Sequence, residues 1–216
     1  MQIDESERDF AVLHTLRCIG FSSEDRIASA AGRETAEVVA ILRALAARGL
    51  VTEHEGVFGG WVMTDRGRVA DDELLAAELS GNGAQAAVEE AYDAFNGLNT
   101  LLLKVCHDWQ LRGVNGARFP NDHSDDAYDA GVIDRLVRVD AAVQPLLDTL
   151  TGLLPRFAIH RDRLTFALER VLAGDHEYFT DGLDSYHTAW FQLHEDLLTT
   201  LGIERDPGGD TPTDER

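Results

Sequence analysis

Apolar residues recur every three or four positions along most of this chain of 216 residues. That spacing is typical of amphipathic helices that bury one face. The pattern breaks at "LVTEHEGVFGGWVMT" (residues 50–64), where two short β-like runs flank a turn containing glycine. The chain is therefore predicted to be mainly α, with a small β-hairpin near its N-terminal end and an all-α helical bundle after it.

Three short helices are predicted before the hairpin. The first covers residues 6–19, the second follows the polar run 22–25 and stops at Gly32, and the third ends at Gly49. Two short helices joined across a turn that contains glycine form a helix-turn-helix pattern. Thr64 is predicted to cap a further helix directly after the hairpin.

The rest of the chain is predicted to fold as a second domain. Residues 1–80 form the first domain, and the run from Ser80 to Gly83 is predicted to be the linker. Residues 84–203 form the bundle, which has four helices and a long loop. The helices are expected over 84–112, 126–153, 160–173 and 182–202, and the loop over 113–125. The acidic tail 204–216 has too few apolar residues to fold and is predicted to be disordered.

The negative charge of the chain is unevenly distributed. The formal net charge is −20, of which residues 1–70 contribute −3 and residues 71–216 contribute −17. The C-terminal part would repel nucleic acid, whereas the nearly neutral N-terminal part leaves room for a basic face.

The sequence also predicts where the protein resides. The acidic start "MQIDESERDF" does not resemble a signal peptide, and no apolar run is long enough to span a bilayer. Cys18 and Cys106 lie far apart within apolar helical patterns, so both are predicted to be buried free thiols. A cytoplasmic protein without membrane association is expected.

Two motifs at a definite spacing resemble a known family. "RIASAAGRETAEVVAILRALAARGLV" (residues 26–51) matches the helix, turn and recognition helix of winged helix-turn-helix proteins, and "WVMTDRGR" (residues 61–68) resembles the run after the wing in MarR-like regulators. The resemblance covers residues 6–79 and implies a transcriptional regulator that binds double-stranded DNA through its third helix. For residues 84–203 no family is recognised.

The resemblance implies a set of DNA-binding residues on the third helix and after the wing. These residues are Arg33, Thr35, Glu37, Arg43, Arg66 and Arg68. Glu37, and Glu34 beside it, face a polyanion in this arrangement, and MarR-like wings usually carry a basic tip. Here the tip is uncharged, with Val57, Phe58, Gly59, Gly60 and Trp61. A second function therefore stays open, in which the winged helix of an acidic adaptor binds another protein.

The bundle offers candidates for a small-molecule effector site. Polar and aromatic side chains follow the apolar stripes of its helices and its long loop. The predicted ligand-binding residues are Asn99, His107, Trp109, Arg118, His187, Trp190 and His194. The alternative is that these aromatics fill the core and the polar groups bond one another.

Neither an enzyme nor a cofactor is predicted. Phosphate-binding loops, nucleophile elbows and paired-cysteine motifs do not occur in the sequence. Asp184 and His187 are spaced to reach one metal ion, but a buried histidine with one polar partner is the commoner arrangement. No metal site is therefore predicted. A homodimer is expected, because one short recognition helix rarely supplies enough specificity.

Overall fold

The computed structural model describes residues 5–56, 59–114 and 117–203. These residues divide into two compact units, one of 1–84 with Glu195–Ile203 and one of 85–194. The elements of the first unit, in chain order, are α1 (Glu5–Ile19), α2 (Glu24–Ala31), α3 (Thr35–Ala47), β1 (Val51–His54), β2 (Gly60–Met63) and α4 (Asp65–Asn82).

The second unit is built mainly from long helices. Its elements are α5 (Gln85–Gln110), β3 (Leu111–Val114), β4 (Ala117–Pro120), α6 (Asp126–Leu153), α7 (Ala158–Leu172) and α8 (Tyr186–Leu201). The last part of α8, from Glu195, groups with the first unit. The sequence prediction places all of 84–203 in one bundle.

The mainly α fold is confirmed, and α1 to α4 with β1 and β2 follow the order of a winged helix-turn-helix. Cys18 and Cys106 are buried and do not form a disulfide, as predicted. Within the described ranges, no helix is both long enough and apolar enough to cross a bilayer.

Helix ends in the first unit follow from local chemistry. The Ser23 hydroxyl accepts a hydrogen bond from the backbone N–H of Arg26 (3.4 Å) and so caps α2. Gly32 ends the same helix with φ at 62°, a left-handed conformation that glycine adopts without strain. Both ends of α2 are therefore specified locally, and Gly32 begins the turn into α3.

The wing is an antiparallel hairpin in which Val51 pairs with Met63 and His54 with Gly60. Trp61 is fully packed into the core, and its indole N–H donates to Glu24 on α2 (3.3 Å). A backbone bridge between Ser22 and Trp61 adds a short third edge to the hairpin. The wing is thus tied to the start of α2. Val57 and Phe58, which the sequence places at the tip, lie outside the described residues.

Two contacts fix the chain after the wing, where β2 passes into α4: a helix cap from Thr64 and a close backbone approach at Gly67. The Thr64 hydroxyl accepts from the N–H of Gly67 (3.0 Å) and donates to the carbonyl of Gly49 (2.8 Å). A Cβ at Gly67 would lie 2.1 Å from the carbonyl oxygen of Leu50. Thr64 and Gly67 therefore allow α4 to start against the backbone that enters β1.

Two predictions about connecting segments are wrong. Helix α4 continues through Ser80 and Gly81, so the predicted linker is helical up to the left-handed Gly83. The predicted loop 113–125 contains part of a β-hairpin in which Leu111 pairs with Pro120. Strand β4 is exposed along its length, so no alternation of buried and exposed residues marks it in the sequence. The predicted tail 204–216 lies outside the described residues.

We predict that Gly67→Ala destabilises the protein by about 3 kcal/mol, because the added methyl group overlaps the Leu50 carbonyl and the backbone must move. The control is Gly81→Ala in the same helix, where nothing lies within 4 Å of the added carbon. That change is expected to stabilise by up to about 1 kcal/mol through helix propensity. Urea unfolding measures both values. Equal effects of the two substitutions would show that the close approach at Gly67 is unimportant.

Candidate functional site

Helix α3 presents one buried face and one exposed face. Its buried residues are Val38, Ile41, Leu42 and Leu45, which pack against α1 and α2. Its exposed residues are Ala36, Ala40, Arg43, Ala44 and Ala47. The exposed face is therefore smooth and carries one positive charge.

Three of the predicted DNA-binding residues, those at the start of α3, are engaged within the protein. The Arg33 guanidinium donates to the Glu37 carboxylate (2.8 Å), and these side chains are only 18% and 37% exposed. The Thr35 hydroxyl donates to Asp25 of α2 (3.1 Å). The positive charge of Arg33, which the sequence assigns to the DNA surface, is thus neutralised by Glu37, one helical turn away.

The remaining predicted arginines differ from Arg33. Arg43 on α3 and Arg66 at the start of α4 are exposed, and neither forms an ion pair with any residue of the described ranges. Arg68 is exposed and lies 3.4 Å from Asp65. Because Asp65 is itself 99% exposed, this pair is open to exchange with a phosphate.

A groove of about 470 Å³ separates the end of α3 from α4. Arg48 and Arg66 line it, together with Val69, Ala70 and Glu73. Arg43 lies one turn before Ala47, a residue of the same groove, so the exposed cations of α3 and α4 are on neighbouring surfaces. Sequence reasoning does not include Arg48, which pairs with Asp9 (2.9 Å) while remaining half exposed.

Three of the predicted ligand-binding residues meet in the second unit. The Trp190 indole N–H donates to Asn99 Oδ1 (2.9 Å). Phe95 stacks on Trp190, with ring centroids 4.8 Å apart, and its centroid is 5.2 Å from that of His194. Polar groups here bond other side chains of the same cluster, which is the alternative that the sequence left open.

Trp109 lies in a different cluster. Its ring centroid is 4.5 Å from those of His123 and Phe179. Asn121 donates to the carbonyl of Trp109 (3.1 Å) and to Asp129 (2.8 Å), and His123 Nδ1 is 2.9 Å from the same carboxylate. The sequence did not predict these partners of Trp109, which join the end of the β3–β4 hairpin to α6.

The other predicted ligand residues are dispersed. His107 is half-buried on α5, Arg118 is exposed on β4, and His187 is half-buried at the start of α8. Asp184, the suggested metal partner of His187, lies 3.8 Å from Arg163. The structure therefore does not gather the seven predicted residues into one site.

A buried polar cluster in the first unit escaped sequence reasoning. His14 of α1 lies between two buried carboxylates, with Nδ1 3.1 Å from Asp71 and Nε2 3.1 Å from Asp196. Arg17 lies 3.6 Å from Asp71, and Thr200 donates to Asp196 (3.0 Å). The available signal was a histidine next to Leu13 in the apolar pattern of a predicted helix. It gave no sign of its distant partners.

A pair between buried Tyr186 and half-buried Asp140 lies between α6 and α8. The hydroxyl of Tyr186 donates to Asp140 (3.1 Å). Burial raises the pKa of Asp140, and hydrogen bonds from Tyr186 and Gln144 offset this in part. Burial, together with the neighbouring Asp140, raises the pKa of Tyr186 well above its usual value. The ionised carboxylate is therefore disfavoured in the folded protein.

The chain was compared with protein-family models, with curated proteins and with solved structures, and none of the three comparisons gave a match. No relative therefore supplies residue roles for this chain. Function has to be inferred from the contacts, charges and burial of its own residues.

We predict that Asp140→Asn raises stability more at pH 7 than at about pH 4. A carboxyl group whose pKa is higher in the folded state disfavours folding once the pH exceeds its unfolded pKa, about 3.9. The penalty is present at pH 7 and fades as the pH falls. Urea unfolding at both pH values measures it, with the exposed Asp162→Asn as the control for the charge change. If the stability difference between Asp140→Asn and the native protein does not change with pH, the raised pKa of Asp140 is contradicted.

Proposed function

We propose that the protein is a sequence-reading DNA-binding protein of the winged helix-turn-helix class. More particularly, we propose a cytoplasmic one-component transcriptional regulator similar to the MarR-like regulators, acting as a homodimer on double-stranded DNA. The observation that carries the proposal is the pair of exposed arginines, Arg43 and Arg66, which no described carboxylate neutralises. Exposed, uncompensated cations beside a recognition helix are suited to phosphate binding.

The position of these arginines supports contact with the DNA backbone. Arg43 lies on the exposed face of α3, whose other exposed residues from Ala36 to Ala47 are all alanine. Small side chains allow a helix to enter the major groove closely, while cations at its edges bind the two phosphate strands. Arg66 lies after the wing, at the start of a helix that Gly67 holds against β1.

Glu37 limits this surface. Its ion pair with Arg33 withdraws a cation from the start of α3 and adds a negative charge where DNA approaches. The winged helix is therefore a moderate, salt-sensitive binder, and two copies on paired half-sites would supply the affinity that one copy lacks.

A second candidate function is supported by the same exposed alanines. A smooth helix face on an acidic protein is also suited to packing against a helix of another protein, where close approach matters more than charge. In that function the winged helix of an acidic adaptor binds a partner through α3, and Arg43 contributes specificity rather than phosphate contact.

The homodimer would use the exposed face of α5 and α6. Five apolar residues line a groove of about 290 Å³ between these helices, together with three basic residues: Leu98, Leu101, Val105, Val139 and Ala142, with Lys104, Arg135 and Arg138. Leu101 is 52% exposed, and Val137 on the same helix pair is 36% exposed. Two such faces packed together would bury both grooves.

We predict that Arg43→Gln with Arg66→Gln lowers the affinity for duplex DNA and makes the salt dependence less steep, by about 0.9 in log–log slope for each lost phosphate contact.

Conversely, Glu37→Gln should raise the affinity for duplex DNA roughly tenfold, because it removes a repulsive charge and releases Arg33. Fluorescence anisotropy with pooled genomic duplexes at low salt measures both effects.

Arg170→Gln is the control for each single substitution, because it removes one positive charge on α7, where Arg170 pairs with Asp175 (2.6 Å). Its affinity should equal that of the native protein. Undiminished binding by the double variant would exclude α3 and α4 as the DNA surface. If the native protein binds no duplex at all, the protein-binding function is favoured.

We predict that Leu101→Glu converts the dimer to a monomer, because it places a charge in the apolar face of α5. Leu172→Glu on α7 is the control, since Leu172 is equally exposed (58%) but lies away from this groove. Light scattering after size exclusion gives the mass of each variant. Retention of the dimer by Leu101→Glu would show that α5 and α6 do not form the interface.

A further inference from the structure

Three buried side chains of the first unit present a nitrogen, a sulfur and an oxygen to one another. His14 and Cys18 lie one turn apart on α1, and Asp196 lies on α8. Nε2 of His14 is 3.1 Å from Oδ1 of Asp196 and 3.6 Å from Sγ of Cys18. The three ligand atoms all lie within 4.8 Å of one another, and each side chain belongs to a buried residue.

These separations fit one four-coordinate metal ion. With metal–nitrogen and metal–oxygen bonds of about 2.1 Å and a metal–sulfur bond of about 2.3 Å, tetrahedral angles place nitrogen about 3.6 Å from sulfur and about 3.4 Å from oxygen. The observed distances are 3.6 Å and 3.1 Å. The third pair, sulfur and carboxylate oxygen, lies within 4.8 Å, against about 3.6 Å in a tetrahedral site, so binding requires Cys18 and Asp196 to approach each other by up to about 1 Å.

Asp71 orients the histidine for this role. Its two carboxylate oxygens lie 3.1 and 3.2 Å from Nδ1 of His14. When Nδ1–H donates to Asp71, the Nε2 lone pair faces Cys18 and Asp196. A carboxylate that accepts from the distal nitrogen of a metal-binding histidine is the usual supporting partner in zinc sites. Arg17, 3.6 Å from Asp71, holds that carboxylate in turn.

The charges of the cluster balance around a divalent cation. A thiolate from Cys18 and the carboxylate of Asp196 together neutralise one such ion, and Arg17 is shared between Asp71 (3.6 Å) and Asp72 (3.0 Å). The metal-free alternative is a cluster in which His14 is an imidazolium that donates to both Asp71 and Asp196.

We propose that His14, Cys18 and Asp196 bind one divalent cation of the zinc class, with Asp71 as the positioning residue for His14. An imidazole, a thiolate and a carboxylate together favour zinc or cobalt over magnesium and calcium, which prefer oxygen ligands. Three protein ligands leave the fourth tetrahedral position to water or to a further small ligand. The site is independent of the DNA binding proposed above.

Cobalt titration tests the site, with untagged full-length protein that has been stripped by a chelator. Native protein is expected to bind one Co²⁺ per chain and to develop a thiolate-to-cobalt charge-transfer band in the near ultraviolet. Cys18→Ala should lose that band. Cys106→Ala is the matched control, because Cys106 is also buried and forms no disulfide but lies on α5. It should bind cobalt as the native protein does.

Zinc competition against the bound cobalt separates a ligand from a positioning residue. Asp71→Asn should keep the charge-transfer band but lower zinc affinity about 10- to 100-fold. Circular dichroism checks the fold of every variant, and Cys18→Ser provides a second variant of similar volume. The proposal is overturned if native protein binds no cobalt, or if the folded Cys18 variants bind it with native affinity and spectrum. Either result would favour the imidazolium cluster.

Discussion

The close approach of α4 to the Leu50 carbonyl is the constraint on which the winged helix depends. Only a residue without a Cβ can occupy position 67, since a side-chain carbon there would lie 2.1 Å from that oxygen. Thr64, three residues earlier, satisfies backbone groups of both α4 and the chain entering β1. Together these contacts determine where β2 ends and α4 begins. The position of Arg66, and with it the surface beside α3, follows from them.

Much of the fold could be predicted from periodicity and caps. The helix over 126–153 was predicted with the bounds that it has, because polar Asp125 caps it and its apolar spacing is regular. The hairpin after α5 was not predicted, because strand β4 is exposed and carries no alternation. The run from Ser80 to Gly83 was predicted to be a linker because Ser80 and Gly81 are weak helix formers, but α4 includes both of them.

The candidate sites were harder to predict, since they depend on contacts between residues far apart in sequence. The pair Arg33–Glu37 is an exception, because the four-residue spacing within one helix shows it directly. The partners of Trp109 required the hairpin and α6 to be in place, and periodicity does not provide that. His14 could be assigned to a buried face but not to Asp71 or Asp196, because helix patterns do not show which carboxylates reach a given ring.

The assignment of Glu195–Ile203 to the first unit has a consequence for biosynthesis. On the ribosome, α1 and α4 emerge early, whereas Asp196 and Thr200 follow only after the whole second unit has been translated. Until then, the Nε2 side of His14 lacks the carboxylate that it meets in the finished protein. Residues 85–194, which separate the two parts of the first unit in sequence, are thus translated before the interior of the winged helix is complete. The order of translation therefore differs from the order of final packing.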